Sequence, residues 1–379
     1  MRFADPSTLG QSDPGVHGTN PNLPARLTAI DGLRGIAALA VVLYHYSHFL
    51  RYGPGGIVSP GTSTGAPGSD LLELIYEQGH RAVPLFWMIS GLVLAHVYYR
   101  RVATTREFVV NRFARLYPLH LLTLIVVVGL QAVAMSRLGS WQIYQNNDAW
   151  HFVLNLLFVS DWGLASGYSF NGPIWSVSVE LLAYAMFWAF RKPLLRYPGV
   201  LPLVVSACAL AALAAMGDSN ILRCVFYFFA GTTLAAIGRA LAPQPWMLLA
   251  LAGAMIAIGI AALVIAAPGL TQFVGLPGLF GGAILALSLT DLPKDGWLHA
   301  IAARLGDWSY GIYLWHFPVQ LSLILVLVPN FDLSALASKG WFLGLYLSLV
   351  LLVAHFSFRH LERPWRARLR SWGEARSKG

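Results

Sequence analysis

Residues 30–50 read IDGLRGIAALAVVLYHYSHFL. A hydrocarbon core about 30 Å thick is crossed by about 20 apolar residues in a helix, so this stretch predicts a membrane span. It nevertheless carries Arg34 and His45, and an ionisable side chain in a span costs at least a few kcal/mol, which makes each a functional candidate. Eleven residues at 100° each make three turns plus about 20°, so the two side chains share one face. They lie about 16 Å apart along the axis, with Arg34 near the inner end and His45 in the outer half. The plainer reading is that Arg34 snorkels to inner headgroups and His45 bonds a neighbouring carbonyl.

The rest of the chain is built the same way. Of 379 residues, 56% are hydrophobic and 11% charged, against about 25% charged in ordinary soluble domains; mean hydropathy is +0.59. So little charge cannot cover a soluble protein of this size, which excludes a secreted enzyme, a cytosolic Rossmann-type enzyme and a disordered scaffold. Candidate spans fall at about 30–50, 82–99, 112–135, 174–190, 199–216, 222–239, 246–267, 272–290, 305–328 and 341–361. The expected fold is all-α: a polytopic bundle of about ten transmembrane helices with both termini cytoplasmic. Trp150–Val159 is too short to cross and reads as interfacial. With that count, 21 of the 26 Lys and Arg lie on the inner side, as the positive-inside rule requires. The outer five are Arg51, Arg81, Arg137, Arg223 and Lys339. The net charge of +9 thus reads as inner-face anchoring, and nucleic acid is not needed as a partner.

Outside the spans, residues 1–27 read as a disordered cytoplasmic tail without a signal peptide. Residues 28–366 form one membrane domain, and 367–379 a basic cytoplasmic tail. Outer residues 51–81 are rich in Gly, Pro and Ser and read as flexible. Residues 136–173 carry Trp141, Tyr144, Trp150, Trp162 and Tyr168, suited either to the headgroup level or to stacking on sugars. Cys208 and Cys224 have no CxxC spacing and read as small core residues.

Further polar groups sit in the spans. In NRFARLYP (111–118) Arg112 and Arg115 share a face at i and i+3. Together with Arg34 they make an inner basic site suited to a phosphate-bearing ligand; ordinary inner-face anchoring explains them equally. Glu180, in NGPIWSVSVE (171–180), lies about six residues from its outer end, as His45 does. A carboxylate at that depth can orient an imidazole and stabilise its charged form. Trp175, Ser178, Tyr313 and His316 are candidates for the acceptor site or cleft lining, while His48, His96, His120, His355 and His360 read as structural. His316 precedes Pro318, which should disturb the helix; Pro364 should end the last span. No metal motif appears, and G-x-S-x-G and P-loop patterns are absent, which removes common serine hydrolases and ATP-driven pumps.

DGLRGIAALAVVLYH (31–45), PLFWMISGLVLA (84–95), NRFARLYP, NGPIWSVSVE, SYGIYLWHFP (309–318) and LERP (361–364) together resemble bacterial acyltransferase family 3, integral-membrane O-acyltransferases. The resemblance implies a ten-helix bundle in the bacterial inner membrane. It implies transfer of an acyl group, by family habit acetyl, from cytosolic acyl-CoA to a hydroxyl of a carbohydrate or lipid-linked glycan near the outer face. Acetyl-CoA would be a co-substrate, with no resident cofactor and no metal. The family's Arg–His pair falls on Arg34 and His45, its RxxR pair on Arg112 and Arg115, and its acidic position on Glu180. That assigns donor binding to the three arginines and catalysis to His45 and Glu180. Some relatives carry a fused periplasmic domain; this chain is expected to act alone or with a separate periplasmic partner. The rival reading is a glycolipid or small-anion transporter, which would neither hydrolyse nor transfer a labelled acetyl group.

Overall fold

The computed structural model describes residues 27–375 apart from 60, 62–64, 100–102 and 291. The tail expected over residues 1–27 falls, but for Leu27, outside the described residues. The helices are α1 (Thr28–Leu50), α2 (Ser69–Gln78), α3 (Ala82–Tyr98), α4 (Thr105–Leu138), α5 (Ala149–Leu156), α6 (Trp175–Ala189), α7 (Arg191–Arg196), α8 (Val200–Met216) and α9 (Asn220–Leu241). They continue with α10 (Pro245–Ile265), α11 (Pro268–Leu270), α12 (Leu276–Ser288), α13 (Trp297–Leu327), α14 (Leu333–Ala337), α15 (Gly340–Ser357) and α16 (Arg363–Ala375). Among the described residues there is no strand beyond an isolated bridge between Tyr52 and Val58. Eight stretches are long and apolar enough to cross a membrane: α1, Ser69–Tyr98, α4, α9, α10, Pro268–Ser288, α13 and Gly340–Leu369. α8 has 17 residues. α6 has only 15, about 22 Å of helix.

Local chemistry explains the ends. Thr104 and Glu107 form a reciprocal capping box at the start of α4, and Gly139 closes it at φ 73°, a left-handed conformation that glycine takes without penalty. α5, of 8 residues, is too short to cross, as expected. Residues 51–81 are less loose than their composition suggests, since α2 fills part of them. Pro364 does not end the chain's last long helix. A π-helical turn at Phe358–Glu362 leads without a break into α16, and the wider turn just before Pro364 is where the helix adjusts to the hydrogen bond that proline cannot make. Cys224 is buried as a core residue should be, whereas Cys208 is exposed on α8.

Two packed groups meet around the site. In the first, α1 runs parallel to α13. A Cβ added at Gly32 would lie 2.8 Å from that of Ala302, and one at Gly35 would meet Leu305; further along, His48 donates to Gln320 at 3.2 Å. α15 returns antiparallel, with Trp308 on His355 at 5.1 Å and the Tyr346 hydroxyl on the His316 carbonyl at 3.2 Å. In the second group α3 is parallel to α9: Trp87 meets Tyr227 at 6.5 Å and Tyr99 meets Arg239 at 3.8 Å. Between these points the backbones nearly touch, because a Cβ on Gly91 or Gly231 would collide with the carbonyl of Phe228 or Met88 respectively. Bulkier residues would force the helices apart. Pro318 leaves α13 unbroken. The Leu314 carbonyl, which a proline four residues on cannot satisfy, instead accepts from Asn171 Nδ2 at 3.1 Å.

Candidate active site

Two cavities meet in the bundle, named inner and outer for the sides expected from the sequence; the inner one forms where α1, α3, α4, α6 and α13 converge. Arg34, Ser90, Arg115, Glu180, Tyr184 and Ser309 are among the groups lining a cavity of about 60 Å³, room for a few waters or a thin chain. Arg34 is held tightly: Nε donates to Ser309 Oγ at 2.9 Å, Nη2 donates to the Gly306 carbonyl at 2.8 Å, and Asp31 lies 4.0 Å away. On α6, Ser176, Val177, Glu180 and Tyr184 face this cavity, the single stripe expected of positions i, i+1, i+4 and i+8. The Tyr184 hydroxyl donates to Glu180 at 2.5 Å. The lining itself holds two guanidinium groups against one carboxylate, with Asp31 outside it, so the charged groups that face this cavity suit an anion.

The outer half is a cavity of about 590 Å³ lined by residues that include His45, His48, Tyr144, Tyr168, Trp175 and Tyr313. His45 Nδ1 lies 2.9 Å from the Val41 carbonyl. A carbonyl only accepts, so the ring proton sits on Nδ1 and Nε2 is left as the basic nitrogen. The ring packs at 5.1 Å on His48 and at 4.9 Å on His316. Trp87 and Tyr313 line both cavities and therefore form the neck between them. Tyr313 is pinned there: its hydroxyl donates to the Pro173 carbonyl at 2.8 Å and lies 2.7 Å from Ser176 Oγ.

Residues 139–174 roof the outer half. Gln131 Nε2 donates to the Gln142 carbonyl at 2.9 Å, and the Phe170 N–H donates to Asn147 Oδ1 at 2.7 Å. Ile143 and Phe170 take left-handed φ of 66° and 47°, a strained state held by these bonds. Asp148 caps α5. Hydrogen bonds from the His151 N–H and ring hold its carboxyl below the usual range.

Several candidate residues stand elsewhere than the sequence places them. Glu180 joins the arginines, and the hydrogen bond to His45 comes from its own helix. The equal-depth argument takes α6 to begin at the outer surface; instead Gly172, Pro173 and Ile174, which precede it, are buried within the protein, and Glu180 lines the cavity of Arg34 and Arg115 rather than that of His45. Arg112 and Arg115 part company. Arg115 lines the inner cavity, while Arg112 lines an apolar side groove of about 380 Å³ and stands 5.7 Å from the centre of the Tyr184 ring. Ser178 does not line the cleft: its hydroxyl accepts from the Asp161 N–H at 3.3 Å and its carbonyl from Trp162 at 3.1 Å. Two residues from Ser176 is 200° around a helix. Trp175 and Tyr313 line the cleft, and His316 sits fully buried with its ring centre 4.9 Å from that of His45. His48, set aside as structural, lines the outer cavity; its i+3 spacing from His45 was the available signal. Tyr184 carries the same kind of signal, standing at i+4 from Glu180.

Among the described residues no cluster of three or more His, Cys, Asp or Glu could hold a metal ion. No solved structure matches the chain. Curated relatives do. The chain is 29% identical to "Acyltransferase MdmB" of Streptomyces mycarofaciens over 79% of its own length and 80% of that protein. It is 28% identical to "Putative membrane-bound transacylase BcsY" of Komagataeibacter xylinus, over 88% and 81%. With "Peptidoglycan O-acetyltransferase OatA" of Listeria monocytogenes identity is 23%, over 89% and 55%. The family model described as "Acyltransferase domain" matches residues 27–359, a span that contains both cavities, and the chain therefore belongs to acyltransferase family 3.

Proposed function

We propose that the protein moves an acyl group, taken to be acetyl, from cytosolic acyl-CoA through the neck to a hydroxyl in the outer cavity. The observation that carries this reading is the arrangement along α1. An anion-favouring inner cavity at Arg34 abuts, through Trp87 and Tyr313, an outer cavity holding His45 with its basic nitrogen free. The donor's phosphates rest on Arg115 and Arg34, which line the inner cavity, while Arg112 adds positive charge from the neighbouring groove. The pantetheine arm spans the roughly 16 Å to His45. His45 Nε2 takes the proton from the acceptor hydroxyl as that oxygen attacks the thioester carbonyl. The C–O bond forms, the C–S bond breaks, and the proton passes from the imidazolium to the departing thiolate. Glu180 acts from the inner cavity, balancing the arginines and fixing Tyr184.

The setting we infer is the inner membrane of a bacterium, with ten crossings and both termini cytoplasmic. α6 and α8 then complete the eight longer stretches, and the parallel pairs α1–α13 and α3–α9 keep the alternation such a path demands. The test is to give purified protein radiolabelled acetyl-CoA and a panel of glycosides. Label should appear in an ester on the acceptor, with one free CoA thiol per ester. Intact acetyl-CoA after prolonged incubation with the whole panel would overturn the proposal.

A further inference from the structure

The outer cavity carries charge that the transfer itself does not use. The positive-inside rule depletes the outer side of Lys and Arg, and in the ten-span reading this chain keeps five there. Two of them, Arg81 and Arg223, converge on the cavity that holds His45, and among the described residues no Asp or Glu lines it. Arg81, at the turn before α3, is half-buried and has no hydrogen-bond or ion-pair partner among the described residues. Arg223, on the first turn of α9, lines the cavity with part of its side chain exposed and shares its charge with Asp218, to which Nη2 donates. Unused guanidinium donors in a half-buried setting are a strong attractor for a planar or tetrahedral oxyanion.

Another part of the lining is aromatic. Tyr144 and Tyr168 have ring centres 5.9 Å apart, and Tyr168 and Trp175 6.2 Å apart. Flat apolar faces of this kind suit the C–H faces of a sugar ring better than a flexible chain.

We propose that the acceptor is an anionic sugar. Its ring lies on the Tyr144–Tyr168–Trp175 wall, its carboxylate or phosphate is held by Arg81 and Arg223, and one hydroxyl faces His45. This rests on the transferase reading for the role of His45, but the anion site stands on its own residues.

Two measurements separate the claims. Equilibrium binding to the purified full chain is read by calorimetry for matched pairs: methyl glucoside against methyl glucuronoside, methyl galactoside against methyl galacturonoside, and glucose against glucose 1-phosphate. Acyl transfer from acetyl-CoA is measured to the same six compounds. At least one anionic class should bind about 10- to 100-fold more tightly than its neutral partner, the range of a charge-assisted bond. The uronide and phosphate arms tell which anion is meant. In Arg81→Gln that ratio should fall about tenfold, Arg81→Glu should abolish it, and Arg81→Lys should keep most of it. Equal binding of neutral and anionic partners by the unmodified protein, or a ratio that Arg81→Glu leaves intact, overturns the anion site. A preserved anionic preference with no acyl transfer to any compound overturns the transferase reading instead.

Discussion

The inner and outer halves of the site differ in size by about tenfold, 60 against 590 Å³, and in how their charges are held. Inside, Arg34 is locked to α13 by Ser309 and Gly306, and Glu180 is locked to Tyr184; the space left admits little more than a chain one or two atoms wide. Outside, His45 uses one ring nitrogen on its own helix and keeps the other free, within walls wide enough for a sugar. A narrow, pre-paired compartment suits a thin donor arm held by its anionic end, because the groups that meet it need no rearrangement. A wide one suits acceptors of varied shape. On the proposed function the halves divide the work: one sets which donor enters, the other which hydroxyl reacts.

The strongest break in that division comes from His45→Ala. A positioned histidine base contributes about 10²- to 10⁴-fold, so kcat for acyl transfer should fall by that factor. Alanine is the best helix former, so the melting temperature should stay within a few degrees. An enzyme as active as the parent, assayed with radiolabelled acetyl-CoA, would remove His45 from the chemistry. Next in size is Arg115→Gln, which takes a cation from the inner half alone. A hydrogen bond to a charged group is worth about 1.5–3 kcal/mol, so KM for acetyl-CoA should rise about 10- to 100-fold while KM for the acceptor holds. A change confined to the acceptor KM would reverse the assignment of the two halves.

These two tests also separate what is legible in the sequence from what is not. The membrane spans are legible because their apolar runs outlast any soluble helix, and the shared face of Arg34 and His45 follows from helical period alone within the unbroken α1. Glu180 is misplaced because the end of an apolar run does not show where a helix starts relative to the protein surface. Nothing local announces that Gly172–Ile174 is buried, since that depends on Asn171 reaching the carbonyl freed by Pro318, 143 residues away. Ser178 is misassigned although the period speaks against it, being 200° from Ser176 on the same helix. The outer cavity draws on α1, α3, α6, α9, α13 and the roof, an assembly that is purely tertiary.

The neck sharpens the comparison further. Tyr313→Phe keeps the ring that separates the halves but removes the hydroxyl that bonds the Pro173 carbonyl and Ser176. Leaving buried acceptors unmet costs about 1–3 kcal/mol, so the melting temperature should drop by several degrees. Acetyl-CoA hydrolysis without acceptor should rise relative to transfer, as the neck loosens. If the hydrolysis-to-transfer ratio is unchanged at lower stability, Tyr313 is a packing residue and the neck does not gate.

The smallest effect concerns the roof of the outer half alone. Asp148 is held below the usual carboxylate range by hydrogen bonds from the His151 N–H and ring. A carboxyl with a lowered native value favours the folded roof fully above its ordinary value, and that contribution is lost as pH falls through the native one. Acidification from pH 6 to pH 3 should therefore quicken amide hydrogen exchange across α5, after correction for intrinsic rates, more than it does across α1 at Arg34. Asp148→Asn keeps an N-cap acceptor and should remove the pH dependence while retaining the helix. Equal quickening in α5 and α1, or an unaltered profile in Asp148→Asn, would mean that the two halves loosen together and that the roof is not a separate element.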